Sequence, residues 1–354
     1  MKIAILTPTF NHYSGIDRVV QLQAEEYAKK GNEVTVIALE AKIKPKQRKS
    51  KSDFRGFENQ RFSNNYKVEV LGMPKNTLLQ RLYRLFFFLD SKKIKYHKKL
   101  KDYDVVISHF YPMNWLAHIA KRRHKIKYIY FNHGINTTGL LNNISQKIYM
   151  KLFSFFTNRT LKNVDEAYSV SKYLKDDLRK ISGLDSKVIY NKIDNKRFNK
   201  KVKGAKIIKK YSLKNKKVLL YVGRIAPHKG IHLLLKSFNI IKKQIPNVKL
   251  LIVGKPTFSS YSKALKRAAN KDVIFTGFVD DKELPDYYAA CSLYATASLW
   301  EGFDLPAAEA QACDKKVVAF KIGSHPEIVK NGILVKKNDT KAFAEATVKL
   351  LKKK

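Results

Sequence analysis

Short runs of β-branched and other apolar residues alternate with stretches of helical period along most of the chain. Residues 2–7 form an almost unbroken apolar run and predict a strand. Over residues 16–30, Val19, Val20, Leu22, Ala24, Tyr27 and Ala28 recur at helical spacing. Gly31 then falls where a C-cap glycine ends a helix. Residues 33–39 predict the second strand. Runs at 67–71, 104–108, 127–131, 166–170 and 188–191 continue the series, with helical stretches between most of them. These strands lack polar alternation, as strands buried on both faces do. Strand–helix alternation of this kind gives a parallel sheet with helices on both sides.

The pattern restarts at residues 217–223. Further strands are expected at 249–253, 273–278, 292–297 and 317–320. The expected fold class is therefore α/β, with two Rossmann-like, doubly wound parallel-sheet domains facing a cleft. Residues 1–195 form the first domain and 217–354 the second. The Lys-rich stretch 196–216 reads as a linker with a short helix around 205–211. Open α/β sheets bind ligands outside the carboxyl ends of their strands, so the chemistry is sought there.

The 354 residues suffice for about two domains, and the apolar fraction of 44% supports packed cores. The net charge is +42. It permits an anionic membrane surface, nucleic acid or phosphorylated small molecules, without choosing among them. The two cysteines, Cys291 and Cys313, exclude a disulfide framework and support no structural metal site. The first ten residues read as a strand and not as a leader, and no apolar run approaches the ~20 residues of a membrane span. The expectation is a cytoplasmic protein. Residues 42–51 are a dense basic run, read either as a solvated loop or as a polyanion contact.

The strongest local signal runs from Leu299 to Ala310. A strand ends, a turn carries Glu301, Gly302 and Asp304, and Pro306 opens a helix that carries Glu309. N–H groups over residues 303–308 would face a phosphate. The two glutamates could accept hydrogen bonds from sugar and ribose hydroxyls, or simply complement the helix dipole. The second signal is Gly223-Arg224…Lys229-Gly230, again between a strand and a helix. Its two cations would hold a diphosphate whose charge grows as a bond to it breaks. The alternative is two ordinary surface cations in a Lys-rich chain. Weaker signals are Gly15, in the first strand-to-helix loop, and His133, at the end of a strand. The triplet from Asp102 to Asp104 reads as a turn before a strand and not as a metal site.

Together these residues resemble the retaining glycosyltransferases of the GT-B fold, family 4. The carriers are Glu301 and Glu309, seven residues apart in the intervening count, and Gly223, Arg224, Lys229 and Gly230. Pro326 to Val329 with Gly332, and Asn191 to Asp194, complete the likeness. The resemblance implies that Arg224 and Lys229, with Gly223, bind the donor diphosphate and that Glu309 takes the ribose. It implies that Glu301 faces the donor sugar, beside the main chain of Phe303, Asp304 and Leu305. His133 would lie near the sugar and Gly15 near the distal phosphate. It further implies a nucleotide-sugar donor, a glycan or lipid-linked acceptor, and no dedicated metal. Two departures are Asp304, where the family commonly has Gly, and Gly323-Ser324-His325, where it has paired glycines.

Residues 77–100 combine a helical stripe of Leu78, Leu79, Leu82, Leu85, Phe86 and Leu89 with seven cations. This reads as a sheet-covering helix or as an interfacial helix on an anionic bilayer. Rival functions are a nucleotide-sugar epimerase of related fold and a polyanion or nucleic-acid binder. The second lacks any recognisable nucleic-acid motif, so no specific nucleic acid is expected.

Overall fold

Alternate residues of a strand go to opposite faces of its sheet, and here both faces are buried. A computed structural model describes residues 1–11, 15–41, 58–63, 65–134 and 144–352. The basic run 42–51 and residues 12–14 of the first loop lie outside these. The chain divides into two compact units, Met1–Tyr190 and Asn191–Lys354.

In the first unit the strands are β1 (Lys2–Phe10), β2 (Glu33–Ala41), β3 (Glu58–Ser63), β4 (Tyr66–Val70), β5 (Val105–Ser108), β6 (Lys127–Asn132), β7 (Glu166–Ser169) and β8 (Lys187–Val188). They form one sheet in the order β3-β4-β2-β1-β5-β6-β7-β8. Every pairing is parallel except that of β3 with β4, which is antiparallel. On one face Ile3, Ile5, Val34 and Val36 pack on Val20 and Ala24 of the helix Gly15–Lys29. On the other, Ala4, Leu6, Val106 and Tyr128 pack on Leu116, Ala117 and Ala120 of the helix Asn114–His124. The edge strand β3 was not expected, because its sequence, Glu58 to Ser63, carries a single large apolar residue.

The second unit holds β9 (Lys217–Val222), β10 (Val248–Val253), β11 (Val273–Gly277), β12 (Leu293–Thr296), β13 (Val317–Phe320) and β14 (Gly332–Val335). They are all parallel, in the order β11-β10-β9-β12-β13-β14. The short helix expected near 205–211 is the helix Ala205–Lys210. The stretch read as a linker is not a free tether in this unit. Phe198, Ile207 and Leu213 are buried with Val218, Leu220 and Tyr288 in one core cluster. Its lysines point outward while these three apolar side chains fix it to the sheet.

Each sheet has one place where the strand order reverses. In the first unit β1 connects outward to β2 on one side while β5 lies on the other. In the second, β10 and β12 flank β9. Open α/β sheets bind ligands at such reversal points. In the second unit the crossing at this point is tight. Gly230 has φ +64, and a Cβ on it would lie 1.8 Å from the Ala297 carbonyl oxygen. Gly254, at φ +152, similarly backs onto the Gly223 carbonyl. Gly31 has φ +82 but open space around it.

This contrast makes a prediction. Gly31→Ala carries only the left-handed backbone cost, about 1–2 kcal/mol. Gly230→Ala adds an overpacking cost of about 1–3 kcal/mol. Urea unfolding should therefore rank Gly230→Ala well below Gly31→Ala in stability, and equal losses would contradict the close crossing.

Candidate active site

The loop after β9 runs from Gly223 to Gly230 and ends in a short 3-10 turn, Pro227–Lys229, before the helix Ile231–Gln244. The loop after β12 runs alongside it, with the Leu299 N–H donating to the His228 carbonyl at 2.8 Å. This backbone contact brings Lys229 and Glu301 together. Lys229 Nζ donates to Glu301 Oε1 at 2.6 Å, and both side chains are largely buried. Arg224 is exposed on the same loop. The Tyr221 hydroxyl donates to the Arg224 carbonyl at 3.1 Å and fixes the turn from below. His228 is pushed down to about 3, first by burial and then by the charges of Lys229 and Arg224, so it stays neutral beside them.

Glu301 is held through its main chain as well. The Ser324 N–H donates to the Glu301 carbonyl at 3.1 Å. Gly323 approaches that carbonyl so closely that a Cβ would sit 2.3 Å from its oxygen. Asp304 caps the helix Leu305–Ala312 with φ +67. This left-handed conformation is the physical reason glycine suits the position, and Asp is among the few other residues that tolerate it. Asp304 Oδ1 accepts from the Ala307 N–H at 3.2 Å, and its carbonyl accepts from Ala308 N–H at 3.3 Å. The expectation of N–H groups free for a phosphate across residues 303–308 is thus corrected. Pro306 has none, and those of Ala307 and Ala308 are used within the cap. The side chains of Phe303 and Leu305 are buried. Glu309 is also buried and accepts a hydrogen bond from the Tyr288 hydroxyl at 2.7 Å.

The other Asp304 oxygen meets His325 Nε2 at 2.9 Å, while His325 Nδ1 meets the Phe320 carbonyl at 2.7 Å. A carbonyl can only accept, so Nδ1 carries a proton. A carboxylate can only accept, so Nε2 carries one too. His325 is therefore an imidazolium paired with Asp304, fully buried. Burial opposes the charge on each, but their mutual hydrogen bond and attraction prevail, raising His325 and lowering Asp304. The extra negative charge that Asp304 brings to this loop is thus matched locally.

In the first unit, Gly15 is exposed at the start of the helix Gly15–Lys29. That helix start is tied to β1 by Thr9 Oγ1, which donates to buried Asp17 at 3.0 Å. His133 follows β6, and Asn132 fixes its turn by accepting from the Gly134 N–H at 2.9 Å. His133 Nε2 lies 2.9 Å from His109 Nδ1, and His109 Nε2 lies 2.7 Å from Gln23 Oε1. The two imidazole planes lie within 20° of one another, and the Phe131 ring also lies nearly parallel to His109, with centroids 5.1 Å apart. Burial pushes His133 down to about 4, and burial followed by the neighbouring His133 holds His109 well below its ordinary value. Both rings are neutral, so each carries one proton. With Gln23 Oε1 accepting, the proton of His109 sits on Nε2. His109 Nδ1 then accepts from His133 Nε2, which leaves His133 Nδ1 an open acceptor.

A family profile described as Glycosyltransferase Family 4 matches residues 13–197, and one described as Glycosyl transferases group 1 matches 204–354. The chain belongs to glycosyltransferase family 4. It is 27% identical over 252 residues to an uncharacterized glycosyltransferase of Methanocaldococcus jannaschii, covering 70% of this chain and 65% of that one. A putative glycosyltransferase of Bacillus subtilis is 29% identical over 208 residues, covering 52% of this chain and 51% of its own. The chain thus spans between half and two thirds of these relatives' lengths. The capsular polysaccharide biosynthesis glycosyltransferase CapM of Staphylococcus aureus is 28% identical over 314 residues, covering 75% and 82%. Among solved structures, Anabaena HepE in complex with UDP and glucose superimposes with a TM-score of 0.77 at 20% identity, covering all of this chain and 90% of that one. Sucrose-phosphate synthase from Thermosynechococcus elongatus gives 0.78 at 20% identity, covering 99% and 90%. These likenesses establish the family and the GT-B fold.

Of the residues singled out in this family member, the second unit gathers Gly223, Arg224, Lys229, Glu301, Asp304 and Glu309 onto two neighbouring loops and one helix. The first unit places Gly15 at the start of the helix that follows β1, and His133 in the turn after β6. Sequence reasoning missed His109, Gln23, Tyr288 and His325. His109 ends a strand as His133 does, and that shared position was the available signal. Gln23 gives none, being one polar residue in a helix. His325 stands out only as a departure from the family's paired glycines.

Two predictions follow from the proton inventory. Removing one partner of a buried ion pair costs about 3–5 kcal/mol, so His325→Gln should lower stability by about that amount near pH 6. The raised imidazole contributes fully below its unfolded value of about 6.5 and ceases to contribute as pH rises through the folded value. The lowered Asp304 contributes above about 3.9 and is lost as pH falls through its own. The difference between parent and variant should therefore shrink on both the alkaline and the strongly acid side, and a pH-independent difference would contradict the pair. Second, ring 15N shifts should show His109 and His133 neutral from pH 8 to 5, with His133 protonated on Nε2. An imidazolium signal from His133 at pH 6 would contradict the relay.

Proposed function

We propose that this chain transfers a hexosyl group from a nucleotide-diphosphate sugar to a glycan or lipid-linked acceptor in cell-surface polysaccharide or glycolipid synthesis. The observation that carries this reading is the Lys229–Glu301 contact of 2.6 Å at the reversal point of the second sheet. It sets a cation and a carboxylate side by side where a phosphate and a sugar of one donor would meet. Lys229 has three donor hydrogens and Glu301 takes one, which leaves two directions for phosphate oxygens. Exposed Arg224 adds a planar donor fork to the same loop. Both cations would stabilise the nucleoside diphosphate more as its charge develops than before, which lowers the barrier. Fixed cations serve this purpose without a resident metal.

In this reading Glu301 accepts from donor-sugar hydroxyls and Glu309 from the ribose. The main chain of Phe303 to Leu305, together with Gly223 and Gly15, approaches sugar and phosphate. His133 presents Nδ1 to the sugar. The anomeric carbon gains oxocarbenium character as the bond to phosphate breaks. The departing phosphate oxygen takes the acceptor's proton on the same face, so configuration is retained. The names of CapM and of a Salmonella lipopolysaccharide N-acetylglucosaminetransferase, 37% identical over 126 residues, support an acceptor of polysaccharide or glycolipid type. A lipid-linked acceptor would bring the chain to a bilayer surface.

The test is a thermal-shift panel of nucleotide sugars followed by product analysis. One donor should stabilise the parent. Arg224→Ala should leave the fold intact and weaken that donor about 10- to 100-fold, the equivalent of ~1.5–3 kcal/mol for a hydrogen bond to a charged group. The product's anomeric NMR signal should match the donor's configuration. Stabilisation by no donor would sink the reading, and conversion of the donor without an acceptor would replace it with an epimerase.

A further inference from the structure

Two helices of the first unit turn large apolar side chains away from the sheet. The helix Thr77–Leu85 exposes Leu78 (65%), Leu79 and Leu82. The continuous helix expected beyond it is broken into a 3-10 turn, Phe87–Leu89, and two four-residue helices, with Asp90 accepting from the Lys93 N–H at the break. The helix Ile144–Leu161 exposes Ile148, Leu152 and Phe155 (59%) at one helical stripe, while Phe153, Thr157 and Thr160 go inward. The sequence pattern did not single out this second stripe, because the helix is apolar on both sides.

The two helices that carry these stripes are in contact. The Tyr149 hydroxyl donates to the Arg81 carbonyl at 3.3 Å, and Leu85 and Phe153 share a buried cluster with Tyr111. Phe86, itself partly exposed, packs its ring on Phe156 at 6.2 Å, and Phe156 meets Phe155 at 5.5 Å. Large apolar side chains exposed side by side on two touching helices point to an interaction site.

Its charge chooses the occupant. The helix Ile144–Leu161 has no acidic residue and exposes Lys147, Lys151 and Arg159. Between residues 77 and 100 the one acid, Asp90, is paired with Lys93 at 2.9 Å, while Arg81, Lys92 and Lys95 are exposed. Next to Phe155 a groove of about 390 Å³ is lined by Arg159, Lys162, Asn158 and Ser182, with no carboxylate. A second copy of this chain would set cation against cation across the same surface. An anionic bilayer supplies both an apolar layer for the leucines and phenylalanines and fixed negative charge for the rim.

We infer that these two helices dock the chain on anionic membranes, lying in the headgroup plane with Leu82, Leu152 and Phe155 below the phosphates. None of the described helices is long and apolar enough to cross a membrane. The inference stands independently of the glycosyl-transfer reading.

Co-sedimentation of the full chain with vesicles tests it. Vesicles of phosphatidylcholine with about a third phosphatidylglycerol should pull the chain down, and pure phosphatidylcholine should not. Leu82→Ser with Phe155→Ser should reduce partitioning at least tenfold, since each removes a large apolar side chain from the bilayer. Lys147→Glu with Lys151→Glu should do likewise. Lys337→Glu with Lys341→Glu, on the other unit, removes the same charge and should leave binding unchanged. Circular dichroism melts should be unaltered throughout, because all these side chains are exposed. Absence of binding to anionic vesicles would overturn the proposal. So would equal loss in the control pair, full binding by the serine variant, or a parent dimer that the serine variant dissociates.

Discussion

The contact between Lys229 and Glu301 depends on a constraint that precedes any side chain. At the reversal of strand order in the second sheet, the loops after β9 and β12 must leave in opposite directions from neighbouring strands. They remain in contact only because Gly230 admits the Ala297 carbonyl and because Leu299 donates to His228. A side chain at Gly230 would separate the loops, and the cation would no longer reach the acid. The chemistry of this site therefore rests on a missing methyl group as much as on the charges themselves.

The loop that carries Glu301 is secured a second time from the opposite side. Gly323 and Ser324 hold its carbonyl, and the His325 imidazolium holds Asp304. In water a surface pair would contribute little. Here both partners are buried, and each depends on the other to remain charged. Asp304 thus takes up a backbone conformation suited to glycine, caps a helix and has its charge cancelled nearby. His325 and Asp304 are two departures from the family pattern that compensate one another. The loop they secure is the one proposed to hold the donor sugar.

Much of the architecture was legible because strands buried on both faces are nearly unbroken apolar runs, as in Leu219 to Val222 or Leu250 to Val253. Helices between them left few topologies. The edge strand β3 was not legible, since Glu58 to Ser63 is polar and takes its conformation from pairing with β4. Arg224, Lys229 and Glu301 were legible because each sits between a strand and a helix. What could not be read was how those groups are satisfied. That Glu309 meets Tyr288, that Gln23 orders two histidines, and that His325 reaches back to Asp304 all follow from contacts between distant residues. The stripe on the helix Ile144–Leu161 was hidden because its inward and outward faces are both apolar.

The central claim is that two strand-to-helix loops of the second unit grip one diphosphate-bearing sugar. The most direct measurement is a crystal structure of the full chain with its preferred nucleoside diphosphate. The account predicts phosphate oxygens about 3 Å from Lys229 Nζ and the Arg224 guanidinium, and ribose hydroxyls on Glu309. A nucleotide bound with its phosphates away from both cations would contradict it.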